Sequence, residues 1–139
     1  MAQIVLDTNV VAKLFLKEEW SEVAVAIKSA HIQNEVEAVV PSLLKYELIS
    51  ALKSKGFKKE EIKEALEVIR DYAFSIVELN DFVFNKVADF AEDYNISAYD
   101  AAYVALAHHM GIVFYTADDK LLLKVKKLNF VKHLKAFSI

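Results

Sequence analysis

The chain has 139 residues, 55% of them hydrophobic and 27% charged, with 2 glycines, one proline and no cysteine. That composition describes a folded chain of single-domain size and excludes disordered, low-complexity and collagen-like classes; the missing cysteine excludes disulfides and thiolate metal sites. A formal net charge of -3 argues against an extended nucleic-acid-binding surface, and no apolar stretch is long enough to cross a bilayer, so a cytoplasmic location without a membrane partner is expected.

Gln3 to Leu6 is expected to be a short strand, and its apolar, β-branched character suits a central parallel position. Val10 to Leu16 and Ser21 to Ile32 follow as helices, the second carrying Val23, Ala24, Ile27 and Ala30 at helical spacing. Glu37 to Val40 reads as a strand stopped by Pro41, which suits the first turn of a helix running to Gly56. Lys58 to Tyr72 is helical, with Ile62, Leu66 and Ile69 on one face, and Ser75 to Leu79 is a strand. Asn80 caps a helix from Asp81 to Tyr94, and Ser97 caps another that Gly111 ends. Ile112 to Tyr115 is a strand, Asp119 to Leu128 an amphipathic helix, and Phe130 to Leu134 an edge strand. Strands alternating with helices predict an α/β class, with a mostly parallel sheet of about five strands covered on both faces. The whole chain, residues 1–139, forms the domain.

Four acids stand out against apolar surroundings. Asp7 directly follows the first strand, so it sits at a carboxyl end, where open α/β sheets hold ligands; it can also cap the next helix. Glu47 borders the apolar helix face of Leu43, Leu44, Leu48 and Ala51, where an acid needs a metal or a partner such as lysine. Ser97-x-x-Asp100 matches a capping box, yet the small residues behind it (Ala101, Ala102, Ala105 and Ala107) allow packing close enough to bring that first turn to the crevice. Of Asp118 and Asp119, one caps the following helix and the other faces the sheet end; the spacing from Thr116 selects Asp118 as the inward one. Carboxylates gathered in an apolar setting repel one another unless a cation lies among them, and all-oxygen ligation suits Mg²⁺ or Mn²⁺. His108 and His109 are adjacent and point to different helix sides, and His31 and His133 lack partners at ligand spacing, so all four read as structural or surface residues.

Lysines gather beside these acids. Lys53, Lys55, Lys58 and Lys59 flank Gly56, and six more follow Thr116; they could hold a polyanion, or be ordinary solvated helix faces. Tyr46, Tyr99 and Tyr103 could stack on nucleobases, although helical spacing favours core positions.

Asp7-Thr8-Asn9 after the first strand, Pro41 to Glu47, Ser97-x-x-Asp100-Ala101, and Thr116-Ala117-Asp118 followed by Lys120-Leu121 resemble the PIN-domain family, and within it the small VapC-type toxin ribonucleases. The motifs span the chain in family order. The resemblance implies a PIN-like fold, with Asp7, Glu47, Asp100 and Asp118 as metal-binding acids of a Mg²⁺- or Mn²⁺-dependent ribonuclease. Thr8, Asn9, Thr116 and Asp119 would line the site. It also implies an RNA substrate, a small antitoxin partner and a homodimer. The doubled Asp118-Asp119 departs from the pattern at the fourth acid.

Rival readings fit less well. A phosphotransferase with a nucleophilic strand-end Asp presents a second acid two residues later, where this chain has Asn9; a phosphoryl-accepting receiver domain needs a lysine ending a late strand, where this chain has Thr116. A silent PIN-like binding module would be expected to lose acids that are all present here. A housekeeping RNA-processing nuclease without an antitoxin would keep them.

Overall fold

All strands of the sheet run the same way. The computed structural model describes residues 1–138; Ile139, the last residue of the expected domain, lies outside the described residues. Strands β1 (Ala2–Leu6), β2 (Val36–Pro41), β3 (Ser75–Val77), β4 (Val113–Thr116) and β5 (Val131–His133) lie in the order β3-β2-β1-β4-β5, every pairing parallel. β1 is central, as its apolar sequence required. On one side Val5 lies opposite Val39 of β2, and on the other Leu6 lies opposite Tyr115 of β4. The order reverses at β1, and a crevice opens at the carboxyl ends of strands at such a switch point.

Among the described residues seven α-helices cover the sheet: α1 (Thr8–Ala12), α2 (Ser21–Ile32), α3 (Leu43–Ser54), α4 (Lys59–Tyr72), α5 (Asp81–Tyr94), α6 (Ala98–Met110) and α7 (Asp119–Lys124). Successive strand residues point to opposite faces, so each strand feeds two cores. Ile4, Leu6, Ala38 and Val40 join Ile27 of α2, Leu44, Leu48 and Leu52 of α3, and Ile69 of α4. Val5, Val39 and Phe114 join Tyr103 and Leu106 of α6 and Leu121 of α7 on the other side. α5 packs Val83 and Val87 onto Ala101, Ala102 and Ala105 of α6. Leu44, Leu48 and Leu52 repeat every four residues and are essentially fully buried, each contributing roughly 1.5–3 kcal/mol of burial. That stripe fixes the rotation of α3, and hence the direction in which Glu47 points.

The caps read from the sequence form. Asn80 accepts a bond from the Val83 amide and Ser97 one from the Asp100 amide, each 3.0 Å, and Gly111 ends α6 at φ +67°. Three expectations need correction. Pro41 is the last residue of β2, opposite Val77, and α3 begins two residues later. Pairing of β2 with β1 has ended by Val39, so a proline without an N–H costs the ladder nothing there. The first helix starts at Thr8 rather than Val10 because Asp7 caps it directly, and beyond Ala12 it tightens into turns such as Phe15 N–H to Ala12 C=O. The last helix stops at Lys124, since the chain must turn through Leu128 to bring Phe130 against Phe114 of β4. Among the described residues, no helix is long and apolar enough to cross a membrane.

Candidate active site

Asp7 is pinned between the two central strands. Its amide donates to the Tyr115 carbonyl of β4 at 3.1 Å, and its side chain is almost entirely out of water. One carboxylate oxygen, Oδ1, accepts from the Thr8 amide at 2.8 Å; the other, Oδ2, accepts from the Thr116 hydroxyl at 2.7 Å and from Asn9 Nδ2 at 3.3 Å. Asp7 is therefore both the cap of α1 and an acid at the sheet's carboxyl end.

Thr116, fully buried at the end of β4, acts as the hub of this corner. Its hydroxyl donates to Asp7 and accepts from the Asp118 amide at 3.1 Å and from Asn9 Nδ2 at 3.2 Å. One donor and two acceptor positions are thus all used. Asn9 Oδ1 in turn accepts from the Ala117 amide at 3.0 Å. Asp7-Thr8-Asn9 and Thr116-Ala117-Asp118 are stitched side by side, although 109 residues separate Asp7 from Thr116.

Glu47 reaches this corner from α3. Its Oε1 accepts from the Tyr103 hydroxyl at 2.7 Å and the Thr8 hydroxyl at 2.9 Å, and the two hydroxyl oxygens are themselves 2.7 Å apart. Two hydroxyls, rather than a lysine, partner this acid. Asp100 sits half-buried in the first turn of α6, its amide engaged by Ser97. Asp118 caps α7 through the Leu121 amide at 3.0 Å and is also partly buried. The sequence divided capping and facing inward between Asp118 and Asp119, but both roles fall on Asp118. Asp119 is set apart from the other acids: its side chain is 90% exposed and lies 3.9 Å from His133 Nε2.

The electrostatics tie the acids together. Burial, opposed by the Thr116 hydroxyl and reinforced by the charge of Asp100 and, more weakly, of Glu47, pushes Asp7 up from an ordinary 3.8 to about 7. Asp100 is also raised, first by burial and then by the charges of Asp118 and Glu47. Asp100, Glu47 and Asp118 are thus each felt by another of the four acids. Burial is the larger cause of both shifts, and neighbouring negative charge adds to it.

By donor type the four acids suit a hard cation. Among the described residues, however, no three His, Asp or Glu side chains are gathered closely enough to hold a metal ion as they stand. An open cluster of carboxylates suits Mg²⁺ or Mn²⁺, which bind through one or two carboxylates and keep several waters. The histidines are engaged elsewhere. His31 accepts from the Ala38 amide and bonds the Tyr72 carbonyl, His108 and His109 pack on Phe90 and Phe82, and His133 accepts from the Lys135 amide.

Sequence reasoning left the tyrosines between base stacking and core positions, and the structure separates them. Tyr103 is fully buried and bonds Glu47, whereas Tyr46 and Tyr99 are 75% and 61% exposed. With Leu43, Glu47 and Ser50 they line a hollow of about 320 Å³ at the mouth of the acidic corner. Tyr103 is the polar participant that the sequence reading missed; its available signal was the three-residue spacing from Asp100, which puts both on one helix face. A larger hollow of about 830 Å³, between α3, α4 and the β3 edge, contains none of the four acids.

Solved structures with this architecture come from several organisms. PAE2754 from Pyrobaculum aerophilum is similar at a TM-score of 0.68 and 19% identity, over 96% of this chain and 90% of its own. VapBC2 from Rickettsia felis, bound to a DNA fragment from their promoter, matches at 0.70 and 17%, over 94% and 98%. VapC20 from Mycobacterium tuberculosis, described as a Sarcin-Ricin loop cleaving toxin, matches at 0.70 and 13%, over 86% and 93%. At such identities the likeness carries the fold alone. No curated protein matches the chain in sequence. The PIN domain profile, however, matches residues 4–128, a span containing every acid discussed above, and the chain belongs to the PIN domain family.

Proposed function

We propose that this protein is a Mg²⁺- or Mn²⁺-dependent endoribonuclease, acting in the cytoplasm as the homodimeric toxin of a toxin–antitoxin pair. The observation that carries the reading is the Asp7 carboxylate at the carboxyl end of β1, raised to about 7 first by burial and then by the charges of Asp100 and Glu47. Such a cluster is stabilised when a cation supplies the missing positive charge. The toxin assignment draws on the family and on the fold shared with a toxin–antitoxin complex from Klebsiella pneumoniae.

In this reading Asp7, Glu47 and Asp100 hold the ion, and Asp118 is a fourth ligand, direct or through water. When bound, the ion supplies Lewis acidity and a water acidic enough to attack phosphorus. The chain's own contribution is orientation. Thr116, Asn9 and the Thr8 amide fix both oxygens of Asp7, while Thr8 and Tyr103 hold one oxygen of Glu47. Among the described residues no serine–histidine pair occurs in this corner and the chain has no cysteine, so in this reading water is the nucleophile. Exposed Lys120 and Lys124 on α7, beside Asp118, offer positive charge to a phosphate backbone.

The test is cleavage of single-stranded RNA with and without Mn²⁺, comparing wild type with Asp7→Asn and Asp100→Asn. Cleavage should require Mn²⁺ and fall on the order of 100-fold or more in each variant, because each removes a charge the reaction uses. Equal rates for both variants and wild type would refute the nuclease assignment.

A further inference from the structure

Glu47 is the acid whose placement is hardest to explain. Asp7 is fixed by the strand it ends, but a glutamate on a helix has three side-chain torsions and ordinarily swings through several positions. Here that freedom is removed from behind. The Tyr103 ring is fully buried, stacked on Phe114 with centroids 5.6 Å apart and planes 16° from parallel. Its hydroxyl emerges from the core on the same face of α6 as Asp100 and meets Glu47 Oε1 at 2.7 Å. The Thr8 hydroxyl, next to Asp7, meets the same oxygen at 2.9 Å.

Three oxygens form a closed triangle, and the two hydroxyls bring only two protons. Both are given to Glu47 Oε1, so one charged oxygen accepts two bonds. Oε2 has no hydrogen-bond partner among the described residues. The triangle also joins three separate parts of the fold: α1 through Thr8, α3 through Glu47 and α6 through Tyr103. It therefore sets how far α3 and α6, the carriers of Glu47 and Asp100, stand from the end of β1.

We propose that Tyr103, seconded by Thr8, is a positioning residue: its hydroxyl anchors one oxygen of Glu47 so that the other faces the crevice as a preset ligand for the divalent ion. The inference rests on the metal-dependent reading above and deepens it. Tyr103 touches neither ion nor substrate, and its effect is read in metal affinity before any chemistry occurs. Outer partners of this kind typically hold a 10- to 100-fold share of metal affinity.

The experiment is isothermal titration of Mn²⁺ into RNA-free protein. Tyr103→Phe keeps the ring and its stacking while deleting one oxygen, and should weaken Mn²⁺ binding by about 10-fold. In cleavage assays its kcat should fall at limiting Mn²⁺ and recover at saturation, with KM for RNA unchanged. Phe114→Leu, which loosens the ring's neighbour but keeps the hydroxyl, should lower the melting temperature and leave Mn²⁺ affinity intact. Mn²⁺ affinity of Tyr103→Phe within twofold of wild type, or an equal loss in Phe114→Leu, overturns the proposal. If Tyr103→Phe does not fold at the assay temperature, Thr8→Val, which deletes the second hydroxyl, must show the same weakening, and unchanged affinity there overturns the proposal too. Asp7→Asn in the same titration separates the two readings. If Asp7→Asn loses binding and Tyr103→Phe does not, the positioning role alone falls; if Asp7→Asn binds as wild type, the metal site itself falls.

Discussion

In metal-free buffer, Asp7→Asn isolates what the fold sacrifices to bury this carboxylate. In the unfolded chain the acid loses its proton near 3.8, but in the folded chain it keeps it until about 7. Between those values the unfolded state binds fewer protons, so stability falls as pH rises, and below 3.8 neither state contributes. At about 1.4 kcal/mol per tenfold change in proton affinity, the full loss above pH 7 is roughly 4 kcal/mol. Asparagine cannot ionise and escapes this loss. It does set an NH₂ against the Thr116 hydroxyl or the Thr8 amide, at a cost of about 1–3 kcal/mol. The two curves should therefore cross. In urea denaturation followed by circular dichroism with EDTA present, the variant should be less stable than wild type at about pH 4 and more stable by about 1–3 kcal/mol at about pH 8. Mn²⁺ at a hundred times its dissociation constant should return about 2.7 kcal/mol to wild type and nothing to the variant. Parallel curves, with the variant below wild type throughout, would refute the idea that this carboxylate is held against its own charge.

Three further outcomes are expected. Thr116→Val removes a buried hydroxyl that joins Asp7, Asn9 and the Asp118 amide, and should cost about 2–4 kcal/mol in urea denaturation; a loss below about 0.5 kcal/mol would deny the hub. Tyr46→Ala combined with Tyr99→Ala should leave the melting temperature nearly unchanged, since both rings are largely exposed. It should weaken binding of a short single-stranded RNA, measured by fluorescence anisotropy, by about 10-fold for each base that stacks. Gly111→Ala meets no atom within 4 Å but must hold φ at +67°; strain alone should cost about 1–2 kcal/mol, and a neutral result would mean α6 ends differently.

What could be read from the sequence follows from the range over which each signal acts. α5 and α6 carry caps or stops within a few residues of their ends, and their limits follow Asn80, Ser97 and Gly111 closely. Pro41 misled because a proline suits both the end of a strand and the start of a helix; only the short reach of β1 along β2 decides between them. Asp7, Glu47, Asp100 and Asp118 stood out because each interrupts apolar sequence, a local contrast. The hydroxyl on Glu47 was hidden because Tyr103 lies 56 residues away, and nothing in either helix alone reveals how deep they meet. Asp118 and Asp119 were divided wrongly because a cap was assumed to be occupied by its amide, whereas a cap on the rim of a crevice can serve both.

The interior strand β1 has consequences for how the protein comes into being. During synthesis it emerges before the other four strands, yet one flank stays bare until β4, more than a hundred residues later, can dock beside it. Contacts closed over so long a loop form late and slowly. A fragment ending before Val113 owns Asp7 but lacks the wall that Thr116 builds around it, so a partly made chain carries the first acid without a working centre. Whatever this corner does to its target, the ribosome must make β4 before the corner can do it.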